Sequence, residues 1–441
     1  MNHNASVEID SVLEYFKDAE KPAELWKIGL EQELFGFQSD LSKRLSYTGS
    51  IRELLTEFTK HFGWAPYFEG NNIIGAKKDG SSITIEPGAQ LELSCKPFRT
   101  LSEIESFLLE YRGQLQSLSQ GKGWSWLSMG YDPFFTPDQV DWVPKERYRV
   151  MGEYLPTLGN GAHHMMKTTC TAQSNFDYGS ESDMVAKMRV ATAFAPFVNI
   201  LFASSPFSKA QLSGCKSRRG WAWRNMSARH SGFLDFVFDA DFGYRRYIDY
   251  VLAVPMLVVE RDGQTLDLRG ADFRSFLQQG YAGVLPVFDD WKVQMGATFP
   301  VARLRNAIET RTADAGPIPL LLGQAAFWKG LLYDEQALQW SNKQIENLGP
   351  HFFRDIHEQA YCIGFEYLNE HPQADRLLAD ILETAKTGLI RQGYDESSYL
   401  EPVAHIYEQR ESVADSLIQG FEKALPFAEL FERYGVFFAK S

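Results

Sequence analysis

Apolar residues recur at helical spacing from the first turns of the chain. Val7, Ile9, Val12, Leu13 and Phe16 predict a helix over residues 6–19. The period then changes. Residues 26–37 read Trp-Lys-Ile-Gly-Leu-Glu-Gln-Glu-Leu-Phe-Gly-Phe, a strand that carries acids inside an apolar frame. A helix over 50–62 leads to the turn signal Gly70-Asn-Asn. Residues 73–77 and 82–85 predict a hairpin around Lys78-Asp-Gly80, and 90–94 a further strand after Pro87-Gly88. A helix over 101–120, a strand over 124–130, an aromatic loop to about 144 and a strand over 168–178 follow. The longest apolar run, 190–205, falls largely within a helix predicted over 182–203 and contains Pro196 and Asn199. With fewer than about 18 continuous apolar residues it reads as a buried core helix. Residues 212–232 are polar, basic and aromatic with little periodicity, and read as a loop over a site. From about Asp334 the pattern is mostly helical, over 353–369, 373–391, 397–407 and 413–425. The expected class is α+β, with a body over 1–335 built on a mainly antiparallel sheet. A helical C-terminal portion, 336–441, packs on that body.

Composition narrows the function. Of 441 residues, 44% are apolar and 14% aromatic, enough to fill a large core and to exclude disorder as the main state. Lys and Arg number 44 against 57 acids, a net charge of −13, which argues against coating nucleic acid. An anionic small substrate stays open, because a local site can be basic or metal-filled within an acidic shell. Cys95, Cys170, Cys215 and Cys362 form no CxxC motif, so neither a zinc ribbon nor a disulfide scaffold is expected. The first residues lack a basic stretch followed by an apolar one. The expectation is a cytoplasmic protein in a reducing cytosol, with no membrane or nucleic-acid partner.

The informative feature is acids placed inside strands. Glu31 and Glu33 share one face by the period of two, as do Gln90 and Glu92, and Glu86 lies just before the connecting turn. Paired carboxylates on a partly buried face repel and lose hydration. Water, nearby Lys or Arg, or a hard divalent cation would compensate them. Glu309 and Arg311 also share a face, either as a surface ion pair or as a metal ligand beside a phosphate-facing guanidinium. Lys77 and Lys78 flank the hairpin, where a solvated turn and an ATP contact are both open. Trp221 and Trp223 either line a ligand mouth or pack in the core. His163 and His164 precede Cys170 and could suggest a metal site, but adjacent histidines on a strand would point to opposite faces, so they are expected to serve structure or hydrogen bonding. Gly121-Lys-Gly123 lacks the spacing of a P-loop, and no GxSxG is present.

Taken in order, these segments resemble the plant-type glutamate–cysteine ligases, a family related in fold to glutamine synthetase. The resemblance rests on Ile28-Gly-Leu-Glu-Gln-Glu-Leu-Phe-Gly-Phe37, Glu69-Gly-Asn-Asn-Ile-Ile-Gly75 and Ser82-Ile-Thr-Ile-Glu-Pro-Gly-Ala-Gln-Leu-Glu-Leu-Ser94. It continues through residues 165–177, 203–207 and 249–256, Glu309-x-Arg311, and residues 326–334, so it covers nearly the whole chain. It implies a curved, mainly antiparallel sheet forming a funnel with helices outside. It also implies ligation of cysteine to the γ-carboxylate of glutamate through γ-glutamyl phosphate, with ATP as co-substrate and Mg2+ or Mn2+ as cofactor. Glu31, Glu33, Glu86, Glu92, Gln173 and Glu309 then become metal-ligand candidates. Glu309 and Arg311 become catalytic candidates, with Arg311 and Lys77 toward ATP. Arg219 takes the place of an arginine that receives a glutamate carboxylate, and Gln90, Asn175 and Trp223 join it around the substrates. The molecule is expected as a monomer or homodimer.

The resemblance has departures. The family's Glu-His-Glu-Lys is Glu31-Gln32-Glu33-Leu34 here, with both acids kept. Relatives carry an acidic run and then Asp-Arg-Thr-Gly where this chain has Arg224-Asn-Met-Ser-Ala-Arg-His-Ser-Gly232. Asn225 and His230 fall near an expected Asp and Arg, so Arg229 or His230 is expected to replace the missing arginine. Cys170 matches a family cysteine without its partner near residues 322–323, and the hairpin pair near Leu268 and Tyr281 is missing. A plant-type thiol switch is therefore not expected. A ligase using another amine and a non-catalytic relative are the alternative readings.

Overall fold

A computed structural model describes residues 9–261, 263–433 and 437–438. Its centre is one antiparallel sheet. The strands are β1 (Ile28–Gln38), β2 (Ala65–Glu69), β3 (Asn72–Lys78), β4 (Ser81–Ile85), β5 (Leu91–Ser94), β6 (Trp124–Leu127), β7 (Thr171–Phe176), β8 (Ala302–Leu304) and β9 (Ile308–Asp314). They run in the order β8-β9-β7-β1-β5-β4-β3-β2, with β6 on the far half of β1. β1 changes partner along its length: Glu31 to Leu34 pair with β5, and Phe35 to Gln38 pair with β6. Alternation along β1 explains the split. Leu30, Gln32 and Leu34 point into the core, while Glu31 and Glu33 share the other face with Phe35 and Phe37. The two aromatics enter a separate apolar cluster with Leu127, Met129 and Phe431, under the Arg44 guanidinium.

Helices cover the sheet. Those that matter for the site are α1 (Ile9–Lys17), α2 (Leu101–Ser119), α3 (Glu146–Tyr154), α4 (Ala162–Thr168), α5 (Glu181–Leu201), α6 (Arg218–Arg224), α7 (Ile318–Leu332), α8 (Glu335–Leu348), α9 (Pro350–Ile363) and α10 (Pro372–Gln392). Residues 6–8 of the first predicted helix lie outside the described residues. α5 is long and apolar enough to cross a membrane by composition, but 83% of its apolar window is buried within this fold, so it is a core helix. α7 is apolar on every side and lies under the sheet. Its Gln324 accepts from Ser174 of β7 (2.6 Å) and donates to Thr310 of β9 (3.0 Å), tying the back of both strands to one helix. α10 crosses α7 at Gly330 and Gly388, where any Cβ would meet the facing backbone carbonyl at 2.1 Å.

Two local expectations fail. His163 and His164 lie on helix α4, not on a strand, because Thr168 and Thr169 hydroxyls bond back to the His164 and Met165 carbonyls and hold the turns. The predicted loop over 212–232 contains α6, capped by the Ser217 hydroxyl, which accepts from Gly220 N at 2.9 Å.

Candidate active site

Sheet register places the predicted acids in three rows on one face. Glu33 lies opposite Glu92, which lies opposite Thr84. Glu31 lies between Gln173 and Ser94. Asn175 lies between Gly29 and Glu309, and Glu309 is opposite Arg303. A cavity of about 340 Å3 opens above these rows. Glu31, Glu33, Glu86, Glu92 and Gln173 line it, as do Gln90, Arg219, Trp223, Arg303 and Arg311.

The carboxylates fall into two electrostatic groups. Glu31 and Glu92 are each pushed up to about 7, chiefly by burial and then by neighbouring carboxylates. Burial also raises Glu33 well above the usual range, with Glu86 and Glu92 adding to it, and raises Glu86. Single hydrogen bonds to these acids do not offset that: Asn175 Nδ2 donates to Glu31 (3.1 Å), Thr171 N to Glu33 (2.9 Å) and the Thr84 hydroxyl to Glu92. Among the described residues, no three His, Cys, Asp or Glu side chains are preassembled to hold a metal. The donor set is nevertheless all oxygen, and burial raises all four carboxyls, which suits a hard divalent cation closed on by these side chains.

Glu309 behaves oppositely. Arg303 grips it with two bonds (Nε to Oε2 2.6 Å, Nη2 to Oε1 3.0 Å), and Arg311 Nη1 reaches Oε2 at 2.6 Å. Burial raises its pKa, but the two guanidiniums outweigh this and hold the carboxyl well below the usual range. Its oxygens are therefore engaged by arginines in this state. Arg311 Nη1 also donates to Gln173 Oε1 at 2.7 Å, which aims the guanidinium along the acid rows.

Arg219, from α6, is buried beside Asp314, with Nη1 to Thr312 O at 3.1 Å and Nη2 to Arg311 O at 2.6 Å. Asp314 can approach because residue 130 is glycine: a Cβ there would sit 2.2 Å from the Asp314 carboxyl carbon. Gln90 spends its amide on backbone, accepting from Gly88 N (2.9 Å) and donating to Met166 O (3.2 Å) and Thr169 O (2.9 Å). It shapes the cleft floor and holds the approach to β7. Lys77 is exposed, 4.7 Å above the Tyr67 ring at the rim, and is not among the lining residues.

Arg229 and His230 are corrections. Arg229 is exposed and donates to Ala253 O at 2.9 Å. His230 is buried between the Ser227 hydroxyl (2.7 Å) and Pro255 O (3.1 Å). Neither lines the cleft, because α6 ends at Arg224 and the chain after it turns into the core.

Lys145, Arg147 and Arg303 were not expected. Lys145 reaches in from the start of α3, bonds Ile85 O at 3.0 Å, and has its pKa lowered by burial against the opposing pull of Glu86 and Glu92. The signal was present as Lys145 and Arg147 two apart after Pro144, at the end of a segment read as loop. Cys215 and Cys362, 147 residues apart, form a disulfide, which the expectation of a reducing cytosol did not anticipate. Such a pair has no spacing signature. Cys95 and Cys170 are free and buried.

A family model described as glutamate–cysteine ligase family 2 matches residues 27–424. The chain is 34% identical over 424 residues to glutamate–cysteine ligase B, chloroplastic, of Oryza sativa subsp. japonica, covering 94% of this chain and 84% of that one. The chloroplastic glutamate–cysteine ligase of Brassica juncea is 34% identical over 413 residues (93% and 80% covered), and that of Arabidopsis thaliana 33% over 413 (93% and 79%). A solved glutamate–cysteine ligase of Francisella tularensis in complex with AMP shares the fold, with TM-score 0.56 at 13% identity, covering 93% of this chain and 88% of that one. The chloroplastic names overturn the cytoplasmic expectation. An acidic, aromatic-rich folded chain suits a plastid stroma as well as a cytosol, so composition does not choose between them.

Proposed function

The chain belongs to glutamate–cysteine ligase family 2, and from that premise we propose how its cleft carries out the ATP-dependent formation of γ-glutamylcysteine. The observation that carries the reading is one sheet face with two parts: the carboxylates of Glu31, Glu33 and Glu92, with Glu86 just past β4, and a Glu309 clamp that aims Arg303 and Arg311 beside them.

The reaction first makes a poor electrophile reactive. A γ-carboxylate oxygen of glutamate attacks the γ-phosphorus of ATP, ADP leaves, and γ-glutamyl phosphate forms. Negative charge concentrates on the phosphoryl oxygens, and Arg311 supplies a planar fork to them. Glu309 orients that fork and Arg303 holds Glu309, so the arrangement is set before substrate arrives. Lys145 and Arg147 extend the positive wall toward the cleft mouth, with Lys77 at its rim. Arg219 borders the cleft with a buried Nε that has no partner among the described residues, and is the arginine assigned to a glutamate carboxylate. Glu31, Glu33, Glu86 and Glu92, with Gln173 beside them, would hold Mg2+ or Mn2+, which when bound neutralises phosphate charge. Asn175 steadies Glu31. The amine of cysteine then attacks the acyl carbon, and phosphate departs.

The test is direct. Purified protein is incubated with ATP, Mg2+ and glutamate, each amino acid is added in turn, and products are identified by mass. γ-Glutamylcysteine with stoichiometric ADP is expected. A different amine used more efficiently, or ATP turnover without an amide product, overturns the reading.

A further inference from the structure

Beside the cleft lies a second cavity of about 40 Å3, and Arg219, Trp223, Phe299 and Arg311 border both. Its far wall is α9, which contributes His357 and Tyr361. α6 and α9 are stapled together there. The Cys215–Cys362 disulfide joins the segment before α6 to the last turn of α9, with Lys216 N donating to Cys362 O (2.9 Å) and Ser217 N to Tyr361 O (2.8 Å).

Some buried polar atoms around this cavity lack partners among the described residues, although Asn199, Ser231 and Thr312 are satisfied. His357 is only 6% exposed, and among the described residues neither of its ring nitrogens is hydrogen-bonded. Trp223 Nε1 is in the same state. A buried polar atom left unpaired costs about 1–3 kcal/mol, so several around one small space mark a place for a ligand group. The charges nearby are already engaged: Arg224 pairs with Glu358 and Arg311 with Glu309, and Arg219 is the arginine assigned above to the glutamate carboxylate. Phe299, Pro300 and Val301 supply apolar wall. The guest is therefore small, uncharged and mostly apolar, with weak hydrogen-bonding capacity.

Resting on the ligase reading above, we propose that this pocket takes the side chain of the acceptor amino acid and that His357 is its specificity-determining residue, selecting a thiol. A thiol is a weak donor and its sulfur a weak acceptor, which a neutral imidazole nitrogen and the Trp223 N–H can match. Burial first, and Arg224 second, push His357 down to about 3, so the ring is neutral at working pH. The arrangement also settles which nucleophile reacts. A thiol in apolar surroundings stays S–H and does not attack. The amine nitrogen bonds the acyl carbon, the acyl–oxygen bond to phosphate breaks, and the proton lost from nitrogen leaves with phosphate. Sulfur keeps its hydrogen throughout.

The experiment compares cysteine with 2-aminobutyrate, whose methyl group replaces the thiol, using the full enzyme with ATP, Mg2+ and glutamate. Wild type should favour cysteine in kcat/KM by about tenfold, the worth of one hydrogen bond to a neutral group. His357→Phe should bring that ratio toward one while the KM values for glutamate and ATP stay within twofold. His357→Gln, which can still accept from S–H, should restore part of it. An unchanged ratio in His357→Phe, or no discrimination in wild type, overturns the proposal. If His357→Phe does not fold, Trp223→Phe keeps a ring, removes the N–H and is read on the cysteine-to-2-aminobutyrate ratio alone, an unchanged ratio again overturning the proposal. A wild type that joins glutamate to neither amine defeats the ligase reading instead.

Discussion

Glu33 of β1 stands directly opposite Glu92 of β5, two carboxylates in cross-strand register on a partly buried face. Like charges so placed destabilise a sheet by up to about 1 kcal/mol. The proposed cation site explains why the fold carries that cost. Glu92→Gln keeps an oxygen for the Thr84 hydroxyl and removes the repulsion. In chelator, this variant should melt at a higher temperature than wild type. Its ligase activity should fall about a hundredfold or more, with a higher Mg2+ requirement. A variant that gains no stability and works normally at limiting Mg2+ would show that these acids are not held for a cation.

Arg303 is expected to support Glu309 rather than touch substrate first. It supplies two of the three arginine bonds to that carboxylate, from a position 7% exposed. Removing one member of a buried pair costs about 3–5 kcal/mol, because the partner stays charged and unmatched. Arg303→Met should lower the urea midpoint accordingly and depress kcat. Near-wild-type stability would mean that Arg311 alone satisfies Glu309.

Arg311→Lys separates charge from shape. Lysine retains a cation but loses the fork that reaches Glu309, Gln173 and a phosphoryl oxygen together. The variant should lose at least tenfold in kcat with a smaller change in the KM for ATP. A change confined to ATP affinity would assign Arg311 to ground-state binding.

Much of this site was legible because strand period and sheet register act on the same residues. Glu31, Glu33 and Glu92 announce a polar face by alternation alone, and antiparallel pairing carries that face onto Gln173 and Glu309. What stayed hidden depends on contacts between distant segments. Lys145 enters from a helix start that reads as loop. Arg303 looks like an ordinary strand cation until Glu309 is placed opposite. His357 sits on a helix whose apolar stripe reads only as packing, and nothing in its spacing points to Trp223. The Arg229–His230 expectation failed for the converse reason: sequence position near a missing arginine says nothing about where the chain turns after α6.

His230 supplies the last test, because its environment fixes its charge. Pro255 O can only accept, so Nε2 carries the proton and Nδ1 accepts from the Ser227 hydroxyl, a neutral ring on both sides. Burial pushes its pKa down to about 4, from an ordinary 6.5. Between those values the unfolded chain binds a proton that the folded chain does not, so stability falls as pH drops from about 6.5 toward 4 and is unaffected above. The loss is at most about 1.4 kcal/mol per pH unit for this one group. His164 and His357, also depressed by burial, add to the acid limb. His230→Gln can still donate to Pro255 O and does not titrate. Its stability, measured by urea unfolding at pH 7 and pH 5, should fall less steeply with acid than that of wild type. The KM values for glutamate and cysteine should not move at either pH. An acid limb of unchanged slope would mean that His230 is protonated in the folded state, and a shifted KM would return it to the substrate site.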